Sequence, residues 1–188
     1  MRLHYTDKET KELLKSIVLI IDTREQENSH IIDYLVKKKI EYKNKAMNFG
    51  DYSFYLPANP DLGINRDIWF DKDIVIERKG SLSELAGNLT KDRERFEKEL
   101  IRKKNAKMYL LIENASWANI NQGVYRSEYK PNSFLATLYA YMARYDISID
   151  FTTKDLAGQF IYSTFYYYLR EQVLNMAPEI EEVIGGGD

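Results

Sequence analysis

Apolar residues come in short blocks along this chain, and the blocks switch between two periods. Ile17 to Ile21 is a continuous apolar run closed by Asp22, as in a strand covered on both faces. Ile31, Ile32, Leu35 and Val36 then recur at helical spacing, with Ser29 placed to cap a helix over 30–39. Tyr42 to Met47 and Asp51 to Leu56 read as two strands joined near Asn48-Phe49-Gly50. Residues 57–71, rich in Pro, Asn, Asp and Gly, predict a loop, and loops of that length in compact domains are often functional or mobile. Asp73 to Lys79 is the next strand. Leu82, Leu85, Leu89, Phe96 and Leu100 fall on one 3.6-residue stripe and predict a single helix over 81–104.

Lys107 to Glu113 is a further strand, followed by a polar loop to Lys130. Pro131 suits the first turn of a helix continuing from Phe134 to Arg144. Ile147 to Phe151 predicts a short strand, and Leu156 to Leu174 an aromatic-rich helix. Residues 1–16, polar apart from Leu13 and Leu14, read as an N-terminal arm, either a short helix or a loose segment. The main domain is expected over 17–175, and the acidic, glycine-rich tail 176–188 is expected to be disordered. The order strand, helix, three strands, helix, strand, helix, strand, helix predicts an α/β domain with a mixed central sheet flanked by helices.

Composition narrows the chemistry. The 188 residues suit one domain, and 44% are hydrophobic, enough for a core. The net charge is -2, so any binding to nucleic acid must come from a local basic patch and a metal rather than from global charge. The chain has no cysteine, which removes disulfides and thiolate zinc sites and fits a reducing compartment. With His4 and His30 as its two histidines, a metal here is expected to be hard and held by oxygen, Mg²⁺ or Mn²⁺. The sequence carries no signal peptide and no apolar run of about 18 residues. The expectation is a cytoplasmic protein without a membrane partner.

Ile74-Val75-Ile76-Glu77-Arg78-Lys79 is the stretch with most chemical content. On a strand, Glu77 and Lys79 share one face, while Ile74, Ile76 and Arg78 share the other. Asp51, on a neighbouring strand, would add a second carboxylate. Two acids and an ammonium can hold a divalent cation and activate a water against a phosphodiester. The competing reading is an exposed Glu77–Lys79 ion pair, which contributes little.

Spacing with other residues bears on that choice. Asp22-Thr23-Arg24-Glu25 closes the first strand, and Gly50-Asp51, Glu77-Arg78-Lys79 and Leu111-Ile112-Glu113 follow in order. Together they resemble the nuclease domain of XPF-type structure-specific endonucleases, of the restriction-endonuclease-like superfamily. The resemblance covers 17–151. It implies a restriction-endonuclease-like fold and Mg²⁺-dependent cleavage of branched, flap or fork DNA in repair, recombination or replication. It implies that Asp51 and Glu77 bind the metal, with the backbone carbonyl of Arg78 as a further ligand. Lys79 is then catalytic, and Asp22, Arg24 and Glu25 lie in the same site. Dimerisation through the domain is also implied. Residues 152–188 are too short for the tandem helix-hairpin-helix domain of many members, so the chain resembles a stand-alone bacterial or phage form.

The family aspartate four residues after the lysine is Ser83 here, with Glu84 one place later. Glu84 either reaches the site or serves as a first-turn acid. Arg93 falls within about 20° of Leu82 and Leu100 on a continuous helix, facing inward, whereas Arg95 falls with Lys91 and Arg102 on the polar face. An inward arginine needs a partner: a phosphate, an active-site acid, or an ion pair with Glu25 or Glu113. Arg24, Lys79 and Arg93 are the expected DNA contacts. Lys37-Lys38-Lys39 and Arg102-Lys103-Lys104 read either as phosphate contacts or as solvated helix ends. His30 reads as a helix-start residue, and Phe160, Phe165 and Leu169 as core. Tyr162, Tyr166, Tyr167 and Tyr168 cannot all face inward, which suggests an interface. Two other readings stand beside the nuclease: a non-catalytic DNA-binding or scaffold subunit, and a sequence-specific restriction-type enzyme.

Overall fold

A computed structural model describes residues 4–175, so the expected disorder of the 176–188 tail lies outside the described residues. The strands are β1 (Val18–Ile21), β2 (Tyr42–Asn44), β3 (Tyr52–Leu56), β4 (Ile68–Trp69), β5 (Ile74–Lys79), β6 (Lys107–Glu113) and β7 (Ile147–Thr152). They form one seven-stranded sheet in the order β2-β1-β3-β5-β6-β7, with the short β4 added beside β3. β3 runs antiparallel to β1 and β5, while β1–β2 and β5–β6–β7 are parallel pairs. The sheet is therefore mixed, as the element order predicts.

Helices cover both faces. α1 (Asp7–Lys15), α2 (Ser29–Lys38) and α7 (Ala157–Asn175) close one side around Leu13, Ile31, Phe54, Ile76 and Phe165. α3 (Leu82–Asn88), α4 (Arg93–Arg102), α5 (Trp117–Asn121) and α6 (Pro131–Tyr145) close the other around Ile20, Val75, Leu85, Phe96 and Phe134. With both faces covered, β5 is buried at every residue. Its alternation sends Ile74 and Ile76 to the first core and Val75 to the second.

Several elements depart from the sequence expectations. Residues 7–15 are a helix with a capping box from Thr6 and Glu9, and Leu13 and Leu14 are buried, so this part of the arm is built into the core. The 57–71 loop holds a turn of 3-10 helix at Pro60–Leu62 and strand β4. The 114–130 loop holds α5, capped by Ser116 on the Asn119 N–H. Phe165 and Leu169 are fully buried, whereas Phe160 is half-buried against Tyr109. Tyr162, Tyr166 and Tyr168 pack on the same core, which leaves Tyr167 as the one of the four facing solvent. The tyrosine surplus behind the interface expectation thus shrinks to one residue.

The expected 81–104 helix is two helices. Thr90 is the cause: its hydroxyl donates back to the Ala86 carbonyl at 2.7 Å, and the Thr90 and Asp92 N–H groups both turn to the Gly87 carbonyl. The second helix begins at Arg93, which places that residue in a first turn, and this matters for the site.

Candidate active site

Gly50 sets the entry to β3. It has φ +71°, and a Cβ there would lie 2.7 Å from the Val75 Cβ. Glycine alone supplies both that backbone and that clearance. Asp51 follows directly, and its main chain is fixed on both sides, donating to the Ile76 carbonyl and accepting from the Asp22 N–H, each at 2.8 Å. Its carboxylate accepts the Arg78 N–H at 2.8 Å.

Glu77 and Lys79 emerge on the same sheet face, as the period-two geometry of β5 requires. The Lys79 Nζ donates to Glu77 Oε1 at 2.7 Å, and the pair is buried, with side chains 9% and 5% exposed. The exposed ion pair is thereby excluded. Glu77 Oε2 is buried and has no hydrogen-bond partner. Asp51, Glu77 and Lys79 open together into a cleft of about 220 Å³, also lined by Arg24, Asn88, Arg95, Phe96, Glu99 and Arg102.

The electrostatics follow from this crowding. Burial and the neighbouring Glu77 push the Asp51 carboxyl well above the ordinary carboxylate range. Burial pushes Glu77 up as well, against the opposing pull of Lys79. Desolvation works against the Lys79 ammonium, but Glu77 and Asp51 outweigh it and hold the proton more tightly than in water. Lys79 is therefore a charged donor in this arrangement, suited to stabilising developing negative charge rather than to removing a proton. Phe96 lies beneath it, with the ammonium 5.4 Å from the ring centroid.

The first-strand motif divides between the two sheet faces. Arg24 lines the cleft. Asp22 does not: it is buried and receives the Arg24 N–H and Nε at 2.8 Å and the Met47 N–H at 2.6 Å. Burial raises its pKa, but those bonds prevail and hold it below the ordinary value. Its lone pairs are occupied, so it positions Arg24 instead of offering a ligand. Glu25 lies behind the sheet, where its carboxylate clamps the Arg78 guanidinium at 2.6 Å. Glu113 is there too, 3.1 Å from Arg78 and 2.7 Å from His30 Nε2. His30 is thus a network member and not simply a helix-start residue. These ions anchor the back of β5 instead of entering the cleft. The contact that Arg78 makes with Asp51 is through its N–H, not its carbonyl.

Arg93 does not face inward. It is half exposed and pairs with Glu97 at 2.9 Å. Arg93 stands three and seven residues before the buried Phe96 and Leu100, but it occupies the first turn of α4, where its side chain runs to Glu97, while Arg95, Glu99 and Arg102 flank the cleft at i, i+4, i+7. Arg95 and not Arg93 is the arginine at the site. Arg95→Ala is expected to slow single-turnover DNA cleavage about tenfold by removing a phosphate contact, while Arg93→Ala changes it less than about twofold. Equal effects would return the role to Arg93. Glu84 reaches the edge of the site: it accepts the Gly80 N–H at 2.8 Å and lies 3.7 Å from Lys79 Nζ. Sequence reasoning missed Asn88, whose Oδ1 is buried without a partner beside the cleft. Its place four residues after Glu84 was the available signal. Arg102 also borders the cleft and donates to the Asn48 carbonyl at 3.2 Å. Lys103 is buried and donates to the Ala106 carbonyl at 2.9 Å, so it is no phosphate contact.

Among the described residues no cluster of three or more His, Cys, Asp or Glu side chains is placed to hold a metal ion. The donor set here is two carboxylates with an orphaned oxygen. That suits Mg²⁺, which keeps several waters and commonly takes one or two carboxylates together with substrate phosphate. Among the described residues no helix is long and apolar enough to cross a membrane.

A mixed sheet with helices on both faces, with two acids and a lysine gathered in one cleft, has the restriction-endonuclease-like fold of an XPF-type nuclease domain. Residues 21–164 match the ERCC4 domain, and the chain belongs to that family. XPF from Aeropyrum pernix has the same fold, with a TM-score of 0.59 at 19% identity over 82% of this chain and 63% of that one. XPF from Aeropyrum pernix in complex with DNA gives 0.56 at 18% identity, over 82% and 66%. The chain spans less than two thirds of either. No curated protein sequence matches it.

Proposed function

We propose that the chain is a metal-dependent DNA endonuclease acting on branched, flap or fork DNA. One observation carries the reading: Glu77 Oε2 is buried without a partner beside Asp51, in a cleft rimmed by arginines. An unpaired buried carboxylate oxygen is costly, and a cation repays it. Asp51 and Glu77 would hold Mg²⁺ or Mn²⁺, which supplies Lewis-acid stabilisation and an activated water. Lys79 donates toward the phosphoryl oxygens, and Arg24 and Arg95 hold the flanking phosphates. The family's XPF relative in complex with DNA supports the substrate class.

The test is a cleavage panel of single-stranded, duplex, flap, fork and four-way-junction DNA, each in Mg²⁺ or EDTA, with Glu77→Gln beside the parent. Cutting of branched substrates in Mg²⁺ alone, lost in Glu77→Gln by about a thousandfold, is the expected result. Full cleavage by Glu77→Gln would sink the assignment. Binding of branched DNA without cutting would mean a scaffold subunit, and cutting of linear duplex at one sequence a restriction-type enzyme.

A further inference from the structure

Helix α3 has two polar flanks. Glu84 and Asn88 lie on the flank beside the carboxylate cleft. Ser83 and Gly87 lie on the other, and with Thr90, Lys91 and residues 126–129 they line a separate cleft of about 770 Å³. No step of the nuclease chemistry described above uses it.

Gly87 is the residue that needs explaining. Its φ is not positive, and a Cβ built there would meet nothing within 4 Å. Glycine inside a helix weakens it relative to alanine. Neither backbone geometry nor packing therefore calls for glycine at this position. What its missing side chain provides is an α3 backbone open to close approach from the cleft. The cations beside it are Lys91 and Arg126, both exposed, and neither has an ion-pair partner among the described residues. Glu128 is the acid in the lining.

The far wall is held in place. The Arg126 N–H donates to Ser83 Oγ at 2.9 Å, tying the segment to α3. The Tyr129 N–H donates to Ser127 Oγ at 3.1 Å, and the Tyr129 ring stacks on Phe134. Both serine hydroxyls accept here, which leaves their protons to donate into the cleft. Cations and free hydroxyl donors are groups that bind phosphates, the bare Gly87 leaves room for close approach, and the aromatic ring is occupied by Phe134, so base stacking is not offered.

We propose that this cleft is a second nucleic-acid contact, in which the phosphate backbone of DNA flanking the cleaved bond passes over Gly87 and is held by Lys91, Arg126 and the Ser83 and Ser127 hydroxyls. The proposal rests on the nuclease reading. A helix with its side chains is about 10 Å wide, roughly three phosphates at 3.4 Å of rise, so one duplex spans both flanks of α3.

The measurement is fluorescence anisotropy of forked DNA over a salt series in EDTA, on a Glu77→Gln parent. Lys91→Ala combined with Arg126→Ala is expected to weaken binding about tenfold near 0.15 M salt and to reduce the slope of log affinity against log salt by about 2. Gly87→Gln is expected to raise Tm by a few degrees while lowering affinity severalfold, a pairing of signs that a packing role would not give. Lys8→Ala with Lys11→Ala, on α1 behind the sheet, removes the same charge and is expected to leave the slope unchanged. If the parent binds and the cleft variants bind equally well, or the α1 control weakens binding as much, the cleft proposal falls and the nuclease reading stands. If the parent binds none of the DNA, the nuclease reading fails and takes the cleft with it.

Discussion

Lys79→Met is expected to cost about 3–5 kcal/mol of stability at pH 7 in metal-free protein, seen as a Tm lower by roughly ten degrees. The ammonium is buried and pairs with Glu77 at 2.7 Å. Removing it leaves Glu77 and Asp51 facing each other in a desolvated cleft with no cation between them. Both carboxyls already sit above the ordinary range from burial, and loss of Lys79 pushes them further. The penalty should therefore shrink as the pH falls and the raised acids take up protons. Millimolar Mg²⁺ should shrink it too, by binding the folded form alone. Cleavage should drop by a hundredfold or more, since the donor to the developing charge is gone. Melts at pH 5 and 7.5, with and without Mg²⁺, decide it. An unchanged Tm at pH 7.5 would mean that Lys79 is a solvated partner of little consequence.

The β5 chemistry was legible because strand alternation is local. Once Ile74–Lys79 is a strand, Glu77 and Lys79 must share a face and Arg78 must take the other. Asp51 was legible for a similar reason, since Gly50 marks the turn that delivers it. The α4 arginine was not. Arg93 does share the angle of Phe96 and Leu100, but it stands in the first turn of α4, where its side chain meets Glu97 instead of the core, and helical phase alone does not show where along its axis a helix meets the cleft. Glu25 and Glu113 show a different limit. Their motif spacing places them at the end of the right strands, but which face they join depends on where Arg78 points. The guanidinium, behind the sheet, draws both acids and His30 to it. Asn88 is an amide on a short helix, a residue type without a charge pattern to mark it. Its place beside the cleft follows from how α3 packs, which is a tertiary property.

Asp51→Asn is expected to abolish cleavage, by about a thousandfold or more, and yet to make the protein more stable at neutral pH. The amide Oδ1 can still accept the Arg78 N–H that the carboxylate accepts at 2.8 Å. What disappears is a charge that burial and Glu77 both oppose. The folded protein holds the Asp51 proton more tightly than the unfolded chain, so the carboxyl lowers stability only once the pH exceeds the unfolded value of about 3.9. The loss grows until the pH passes the raised native value. The variant-minus-parent difference should thus be near zero at pH 4 and reach about 1–2 kcal/mol by pH 7, a Tm gain of a few degrees. Asp22 works in the opposite sense: its native pKa is lowered, so its contribution is present above about pH 4 and lost as the pH falls through the native value. Both proteins share that term, and it cancels in the difference. Mg²⁺ should raise the Tm of the parent and leave the variant unmoved, because the variant lacks one of the two carboxylates proposed to hold the cation. A variant less stable than the parent at pH 7, or a difference independent of pH, would make Asp51 an ordinary hydrogen-bond acceptor. A Mg²⁺ shift of equal size in both proteins would move the cation away from Asp51. The expected combination, stability gained where activity is lost, is the signature of a charge kept in an unfavourable place for the sake of the reaction.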